Sequence, residues 1–411
     1  MQGGRENRSE QDYDRERSDE LVWNLSKNLG LPRREVVRLL GIATGAVQFP
    51  RRTRAVVSLP DEEIVKPAPA KYFTRSGANL EMRWEAMSGR GYIVPNELFF
   101  VRNNSASVPR LNLATWKLDL FGSGLSNPMS ISYDDLIKMP SVSVVRAIEC
   151  AGNGRNMFRT SHGHQPPGLP WDLGAVGVAK WTGVPLRDVL DRAGLKKSAR
   201  DAMPEGLDDK RIKRPMPIDK ALDDAILVYA MNGVPLPRDH GFPVRVLVPG
   251  WVGIAHIKWV GRIEVSESSL YSEYNTSKYV LHGEGYEPEP PALGPMLTTQ
   301  KVKSAFELPW DGEVSAGPQI LRGRSWSGEG SIDGVEVSTD GGQTWQPAHL
   351  HGENIEMAWA RWEVGWNPRP GRHLLKARAT DSKGNTQPDS MPLNTEGYDH
   401  WAVVCHPVMA R

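Results

Sequence analysis

A proline-rich stretch, "EPEPPALGP" at residues 287–295, divides this 411-residue sequence into two parts with different patterns. Before it, short strand-like runs alternate with loops and a few helices, whereas after it short strands recur at regular spacing. A chain of this length exceeds one ordinary hydrophobic core, so two or three domains are expected. The pattern predicts an α+β protein whose last part is a β-sandwich of immunoglobulin type.

Several segments carry clear signals for single elements. The runs "VVRAIEC", "AILVYAMNG" and "FPVRVLVPGWVG" predict buried strands, because β-branched residues are bounded by Gly and Pro. "PLRDVLDRAG" predicts a helix, with Pro185 at its start and Gly194 just after its end. In the last part, "SIDGVEVSTDGGQTWQPAHL" predicts two strands joined at Asp340-Gly341-Gly342. Cys405, in the strand-like run "AVVCHPV", is expected in the core of the sandwich.

Composition excludes several classes of protein. The formal net charge of +1 provides no overall basic field for nucleic-acid binding. The two cysteines form no CxxC motif, which excludes a disulfide framework and the common zinc ribbons. No stretch approaches eighteen uninterrupted apolar residues, so no transmembrane helix is expected.

The amino-terminal segment allows two interpretations. Residues 1–20 are rich in charged side chains and Ser, and are expected to be disordered. Arg33-Arg34 precedes an apolar stretch that resembles a twin-arginine export signal, although Arg38 interrupts the stretch. The alternative is a short amphipathic helix that docks on the domain. The sequence therefore leaves both a cytoplasmic location and export to the periplasm or cell envelope open.

Cys150 ends a strand-like run, and a tight Gly-Asn-Gly turn follows it. It can be a small buried hydrophobe, a nucleophile, or a thiolate ligand to a soft metal. Arg155 would favour the thiolate and would lie beside an anion bound at a metal. A hydrolase elbow needs a small residue two positions before the nucleophile, where this chain has Ile148. The candidate bases for a nucleophile are His162, His164 and His240.

Longer motifs favour the metal ligand. "FFVRNN" at 99–104, "ECAGNGR" at 149–155, "WDLGAVGVAKWTGVPLRDVLDRAG" at 171–194 and "MNGVPLPRDHGFPVRVLVPGWVGIAHIKWVGRI" at 231–263 occur in this order. Together they resemble the sulfite oxidase family of molybdenum enzymes. "RSWSGEGSIDGVEVSTDGGQTW", from residue 324, is similar to the dimerisation domain of that family. The resemblance covers residues 70–411. It implies an amino-terminal extension at 1–65, a mixed α/β molybdopterin-binding catalytic domain at 66–290 and an immunoglobulin-like dimerisation domain at 291–411.

The resemblance also implies roles for single residues. Cys150 matches the cysteine that binds molybdenum. The residues that match substrate-pocket positions are Arg102, Arg155, Trp171 and Tyr279. The residues that match pterin contacts are Phe100, Val101, Arg102, Asn103, Asn104, His240, Arg245, His256, Ile257 and Lys258, with Asp208 or Asp209 from "EGLDDK". Asn104 stands where animal members have a histidine. Glu396, in "LNTEGYDHW", stands where many members have a basic residue that reaches toward the substrate, which is expected to disfavour dianions.

The function implied by the resemblance is oxidation of sulfite to sulfate at a molybdopterin centre, in a homodimer. The sequence has no CxxCH motif and no b5-like module before residue 70, so no haem is expected in this chain. Electrons would then pass to a separate cytochrome or to dioxygen. The alternatives within the family are a sulfane dehydrogenase and another oxyanion or sulfoxide oxidoreductase. Outside it, a cysteine hydrolase that uses Cys150 and a non-catalytic cofactor carrier stay open.

Overall fold

The computed structural model describes residues 64–411. The predicted disordered segment at 1–20 and the signal-like Arg33-Arg34 lie outside the described residues. Residues 64–109 and 117–411 belong to one compact unit. None of the helices in the described part of the chain has the length and apolar character that a membrane crossing requires.

The first half of the described chain mixes short strands with short helices. Its strands are β1 (Phe73–Ser76), β2 (Asn79–Met82), β3 (Lys117–Phe121), β4 (Met129–Ser132), β5 (Val142–Glu149), β6 (Val176–Pro185), β7 (Asp201–Gly206), β8 (Met216–Pro217), β9 (Ile226–Met231), β10 (Val234–Pro235), β11 (Arg245–Leu247) and β12 (Val260–Ser266). Its α-helices are α1 (Tyr133–Leu136), α2 (Met157–His162), α3 (Leu186–Arg192), α4 (Ile218–Asp223) and α5 (Glu273–Thr276). Three 3-10 turns cover Trp84–Met87, Arg238–His240 and Gly253–Ala255.

Two five-stranded sheets organise this half. One has the order β10-β9-β6-β5, with β11 also paired to β9, and the other has the order β4-β3-β12-β7-β8. The burial of β5 increases along the strand, from exposed residues at Val142 to a fully buried end at Glu149. The strand therefore carries the residue that follows it, Cys150, into the interior.

The second half is a sandwich of two sheets. Its strands are β13 (Lys303–Phe306), β14 (Gly312–Val314), β15 (Gln319–Trp326), β16 (Ile332–Ser338), β17 (Gln346–Pro347), β18 (His349–Asn354), β19 (Trp359–Trp366), β20 (Gly371–Asp381) and β21 (Cys405–Ala410). The sheets have the orders β13-β15-β19-β18 and β14-β21-β20-β16-β17. Leu321, Trp362, Leu375 and Val408 are among the residues that form the core between them. The α+β prediction with a terminal sandwich is confirmed.

Most predicted elements form, with informative exceptions. Helix α3 begins after Pro185, buries Leu186, Val189 and Leu190, and is followed by Gly194 at φ 69°. The strand predicted from "FPVRVLVPGWVG" is only β11, three residues long. Pro243 and Pro249 flank it, and proline cannot donate to a ladder.

Two expectations for the second half need correction. The turn at Asp340 forms, but β17 is two residues long, and the chain then moves to the other sheet as β18. Cys405 is exposed and does not lie in the core. The alternation of β21 directs the neighbouring His406 inward instead.

Candidate cofactor and anion site

The turn that carries Cys150 is fixed by hydrogen bonds from both sides. The Cys150 N–H donates to the Ala175 carbonyl (2.9 Å), and the Ala175 N–H donates to Asn153 Oδ1 (2.9 Å). Asn153 Nδ2 donates in turn to Glu149 Oε1 (2.9 Å). A Cβ at Gly253 would lie 2.9 Å from the Glu149 carbonyl oxygen, so glycine permits this close approach. Cys150 is 6% exposed and faces a cleft.

The cleft is partly open to solvent, and several segments of the chain form its wall. It receives side chains from the loop after β2, the Cys150 turn, the loop after β7, and the segment from Arg238 to Trp259. Its lining includes Phe99, Phe100, Arg102, Asn104, Ile148, Cys150, Ala151, Asp208, Ile212, Asp239, His240, Arg245, Gly253, Ile254, His256, Ile257, Lys258, Trp259 and Tyr279. Most of the predicted site residues therefore meet at one place.

One region of the cleft concentrates buried cations. Arg245 donates from Nη1 to the His240 carbonyl (3.0 Å) and from Nη2 to the His256 carbonyl (3.2 Å). Lys258 Nζ donates to the Asp239 carbonyl (2.9 Å) and to Asn103 Oδ1. Burial lowers the pKa of Arg245 to about 9 and that of Lys258 to about 7. The hydrogen-bond acceptors of these two cations are neutral oxygens, which compensate a positive charge less well than a carboxylate does.

The two histidines of this region differ in what they can bind. The His256 ring is fully used, since Nδ1 accepts from the Val248 N–H (3.1 Å) and Nε2 bonds the Trp251 carbonyl (2.9 Å). His240 Nε2 is buried without a hydrogen-bond partner among the described residues. Burial, together with Lys66, Lys258 and Arg245, holds the pKa of His240 well below its usual range. His240 is therefore a neutral hydrogen-bonding group in this cationic surrounding.

An unpartnered donor tests whether an anionic group fits here. Arg245 Nε is buried and lacks a hydrogen-bond partner among the described residues. The carboxylates of the cleft are already engaged: Asp239 accepts from the Val65 and Lys66 N–H groups (2.9 and 2.8 Å), and Asp208 accepts from Ser105 and from the Ile212 N–H. A phosphate-bearing cofactor suits this end, because phosphate supplies both the missing acceptors and the missing negative charge.

Arg102 and Tyr279 lie nearer to Cys150. Arg102 donates to Asn79 Oδ1 (3.3 Å), to the Asn103 carbonyl and to Asn104 Oδ1. Burial alone would lower the pKa of Arg102, but ionisable Tyr279 and Cys150 beside it outweigh this effect and raise the pKa. Tyr279 donates from its hydroxyl to Asn104 Oδ1 (3.2 Å). Asn104 thus joins the arginine to the tyrosine.

Arg155 is held by a turn from the far end of the chain. Its Nε donates to the Glu396 carbonyl (3.2 Å), and its Nη1 donates to the Leu169 carbonyl (3.0 Å). Its guanidinium lies 5.2 Å from the centre of the Tyr398 ring, which stacks on Tyr279 at 5.0 Å. Glu396 lies beside Arg155, and the contact is made by its backbone carbonyl rather than by its carboxylate.

Several predicted residues, among them Arg155 and Asn103, do not line the cleft. Val101 is buried in the core and pairs with Leu80. Asp209 is exposed, so Asp208 is the aspartate of "EGLDDK" in the cleft. Trp171 is 3% exposed, its Nε1 has no partner among the described residues, and its carbonyl accepts from the Asn156 N–H (2.9 Å). It is not part of the cleft wall.

The structure disfavours the hydrolase interpretation of Cys150. A base must become imidazolium, and His240 is buried among cations that oppose this charge. His162 is engaged by the Met391 carbonyl (2.9 Å) and by Ser161 (2.8 Å). Among residues 64–411 no group of three His, Cys, Asp or Glu side chains could hold a metal. Cys150, in the wall of the cleft, could contribute a single thiolate to a metal whose other ligands come from a cofactor.

Sequence reasoning missed some residues of the site. Tyr398, Lys66 and Ser105 were not predicted, and no local motif marks them. Lys66 donates to the Asn96 carbonyl (3.3 Å) and to the Phe99 carbonyl, and burial lowers its pKa to about 7. Tyr398 is brought to Arg155 by the second half of the chain. Only the folded structure brings these residues to the site.

Comparisons with known proteins agree with this arrangement. Residues 105–274 match the model of the oxidoreductase molybdopterin binding domain, and residues 297–404 match the Mo-co oxidoreductase dimerisation domain. Mitochondrial sulfite oxidase of Rattus norvegicus is 38% identical over 323 residues, which cover 73% of this chain and 58% of the rat protein. Sulfite oxidase of Gallus gallus is 36% identical over 337 residues, which cover 76% of this chain and 72% of the chicken protein.

Among solved structures, the sulfane dehydrogenase SoxCD from Paracoccus pantotrophus is similar, with a TM-score of 0.71 and 26% identity. The match covers 86% of this chain and 92% of that chain. The chain thus spans nearly the full length of that structure but little more than half of the length of the rat protein.

Proposed function

This chain belongs to the sulfite oxidase family of molybdopterin oxidoreductases, and from that premise we propose that it oxidises sulfite to sulfate. The observation that carries the proposal is the cleft itself. Cys150 faces into it, and so does Arg245, whose buried Nε has no hydrogen-bond partner among the described residues. A cofactor with a metal-binding dithiolene and a phosphate matches both features.

One group of residues would hold the cofactor, and another would bind the substrate. Cys150 would bind molybdenum through its thiolate, and the region of Arg245, His240 and Lys258 would hold the phosphate of the pterin. When bound, the molybdenum centre supplies oxygen-atom transfer and stores two electrons. The overall change is sulfite plus water to sulfate, two protons and two electrons. This chain's own residues position and neutralise the anion around that chemistry.

Arg102 and Arg155 would bind the oxyanion. A guanidinium keeps its charge at any working pH and donates in a planar fork, which suits the oxygens of sulfite. Both arginines already spend donors on protein oxygens, which fixes their orientation before substrate arrives. Tyr279 and Asn104 would keep Arg102 aligned through their shared hydrogen bond. Preorganised charge of this kind stabilises charge that develops as sulfate forms.

The proposal includes an external electron acceptor and a partner subunit. Electrons would leave to a separate cytochrome or to dioxygen. The match of residues 297–404 to a dimerisation domain supports a homodimer formed through the sandwich.

The experiment compares the only two cysteines of the chain. Cys150→Ser is expected to abolish sulfite-dependent reduction of ferricyanide while most of the pterin stays bound, because hydroxyl is a poorer ligand than thiolate. Cys405→Ser, at an exposed position, should retain the activity and a molybdenum content near one atom per chain. A Cys150→Ser enzyme that turns over sulfite at the wild-type rate, or a wild type without molybdenum, would refute the proposal.

A second candidate is oxidation of sulfane sulfur. It is favoured by the similarity to the sulfane dehydrogenase structure over nearly its whole chain, and by Glu396, whose negative charge acts on Tyr398 beside Arg155. Steady-state kinetics with sulfite and with an organic persulfide separate the two candidates. A higher kcat/KM for sulfite supports the first, and a higher kcat/KM for the persulfide supports the second.

A further inference from the structure

Lys303, in the second half of the chain, forms ion pairs with two carboxylates next to the Cys150 turn. It is the first residue of β13, and its Nζ lies 2.9 Å from Glu149 Oε1 and 3.9 Å from Asp399 Oδ1. Lys303 is 3% exposed, Glu149 is 1% exposed and Asp399 is 4% exposed. Water therefore screens the attraction between these groups very little.

Each carboxylate belongs to a different turn of the site. Glu149 begins the turn that carries the cysteine, and the Asp399 N–H donates to the Ala151 carbonyl of that same turn (2.7 Å). The turn that ends at Asp399 also contains Glu396, whose carbonyl accepts from Arg155 Nε. A shift of Asp399 would therefore move a hydrogen-bond partner of Arg155.

Building on the proposed function, we propose that Lys303 is a positioning residue that sets the affinity of the site for oxyanions. Its ammonium holds the Glu149 end of one turn and the Asp399 end of the other at a fixed separation. Without it, the ionic link between the two turns is lost, and the turn that ends at Asp399 would move the Glu396 carbonyl away from Arg155.

The effect is expected on binding more than on chemistry. The Cys150 N–H is held by Ala175, and Asn153 holds Ala175 in return, so the cysteine keeps its place without Lys303. Arg155 has no such independent bond at Nε. Loss of Lys303 should therefore raise the KM for sulfite and the Kd for sulfate with little change in kcat.

The test uses Lys303→Met and the double variant Lys303→Met/Glu149→Gln, in which the unpaired carboxylate at Glu149 is neutralised to preserve folding. Calorimetric titration of the holoenzyme with sulfate should give a Kd that is raised roughly tenfold in both variants. In an Arg155→Gln background, Lys303→Met should raise the Kd no further, because both changes act on the same contact.

Arg324→Met serves as the matched control, since it also removes a buried cation of the sandwich that pairs with a carboxylate. It should destabilise the protein without changing the Kd for sulfate. If the Kd for sulfate were unchanged in both Lys303 variants, the role of Lys303 would be contradicted. The same holds if the effects of Lys303→Met and Arg155→Gln on this Kd were additive. Neither result would contradict the proposed function. A wild-type holoenzyme that binds no sulfate would contradict the proposed function and this inference together.

Discussion

The buried cations of the cleft and those of the sandwich have the same chemistry but opposite surroundings. Arg324 is fully buried and pairs with Glu307 Oε1 at 2.7 Å, and Lys303 pairs with Glu149 at 2.9 Å. Arg245 and Lys258 are also buried, yet among the described residues they donate to carbonyl and amide oxygens and form no ion pair with a carboxylate.

The difference distinguishes cations that stabilise the fold from cations that are available to an anionic ligand. Desolvating a charge costs several kcal/mol, and a carboxylate partner returns much of that cost. A protein that leaves such a charge without a counter-ion keeps it at the expense of stability, and an anionic ligand provides the compensation. The uncompensated cations at the cleft are thus the structural sign of a cofactor that brings its own negative charge.

The largest loss of stability is expected for the ion pair of Arg324 and Glu307 in the sandwich. Arg324→Met should lower the free energy of unfolding by roughly 3–5 kcal/mol, because it leaves Glu307 buried and unpaired. Urea denaturation of the cofactor-free protein at pH 7 measures it. Adding Glu307→Gln to this variant should recover much of the loss. A loss below about 1 kcal/mol would mean that the pair contributes nothing to the sandwich.

Arg245→Met should produce the reverse pattern. The cofactor-free protein should change in stability by less than about 1.5 kcal/mol, because the lost hydrogen bonds are offset by relief of an uncompensated charge. Pterin and molybdenum content per chain should fall, since one charged hydrogen bond of roughly 1.5–3 kcal/mol corresponds to about ten- to a hundredfold in affinity. Normal cofactor content, or destabilisation equal to that of Arg324→Met, would show that the buried cations of the cleft and of the sandwich have the same role.

The smallest effect concerns pH. The pKa of Lys258 is lowered by burial from 10.5 to about 7, so the folded cofactor-free protein releases this proton before the unfolded chain does. The unfolded state then binds more protons above pH 7, and stability rises with pH in that window. Between pH 7 and 8 the wild type should gain about 1 kcal/mol relative to Lys258→Met. If the free energy of unfolding changed equally with pH in the two proteins across this range, Lys258 would stay charged in the folded state.

The sequence predicted those parts of the site that lie within continuous motifs. Cys150, His240 and Arg245, which belong to "ECAGNGR" and "RDHGFPVR", do line the cleft, because local backbone and neighbouring strands fix these segments. Their roles stay predictions. The sequence could not choose between Asp208 and Asp209, since adjacent residues differ only in which one the loop turns inward. Tyr398 escaped notice because its role depends on the packing of the sandwich against the first half.

The fold was predictable at the level of class and less so in detail. Periodic runs indicated β5 and β9, and capping residues indicated α3. The apolar run around β11 was too long for the strand it contains, because Pro243 and Pro249 limit the ladder to three residues. Cys405 shows the same limit: a cysteine in an apolar run was expected inside, but strand alternation directs it outward.

The contact between Arg155 and Glu396 has a consequence for biosynthesis. Their positions are 241 residues apart in the chain. At synthesis rates of about 5–20 residues per second, a ribosome needs roughly 12–50 seconds to pass from one to the other. Throughout that interval the cysteine turn exists without the turn that covers its arginine. The hydrogen bond from Arg155 to Glu396 can therefore form only after the last part of the chain has been synthesised and has folded against the first half.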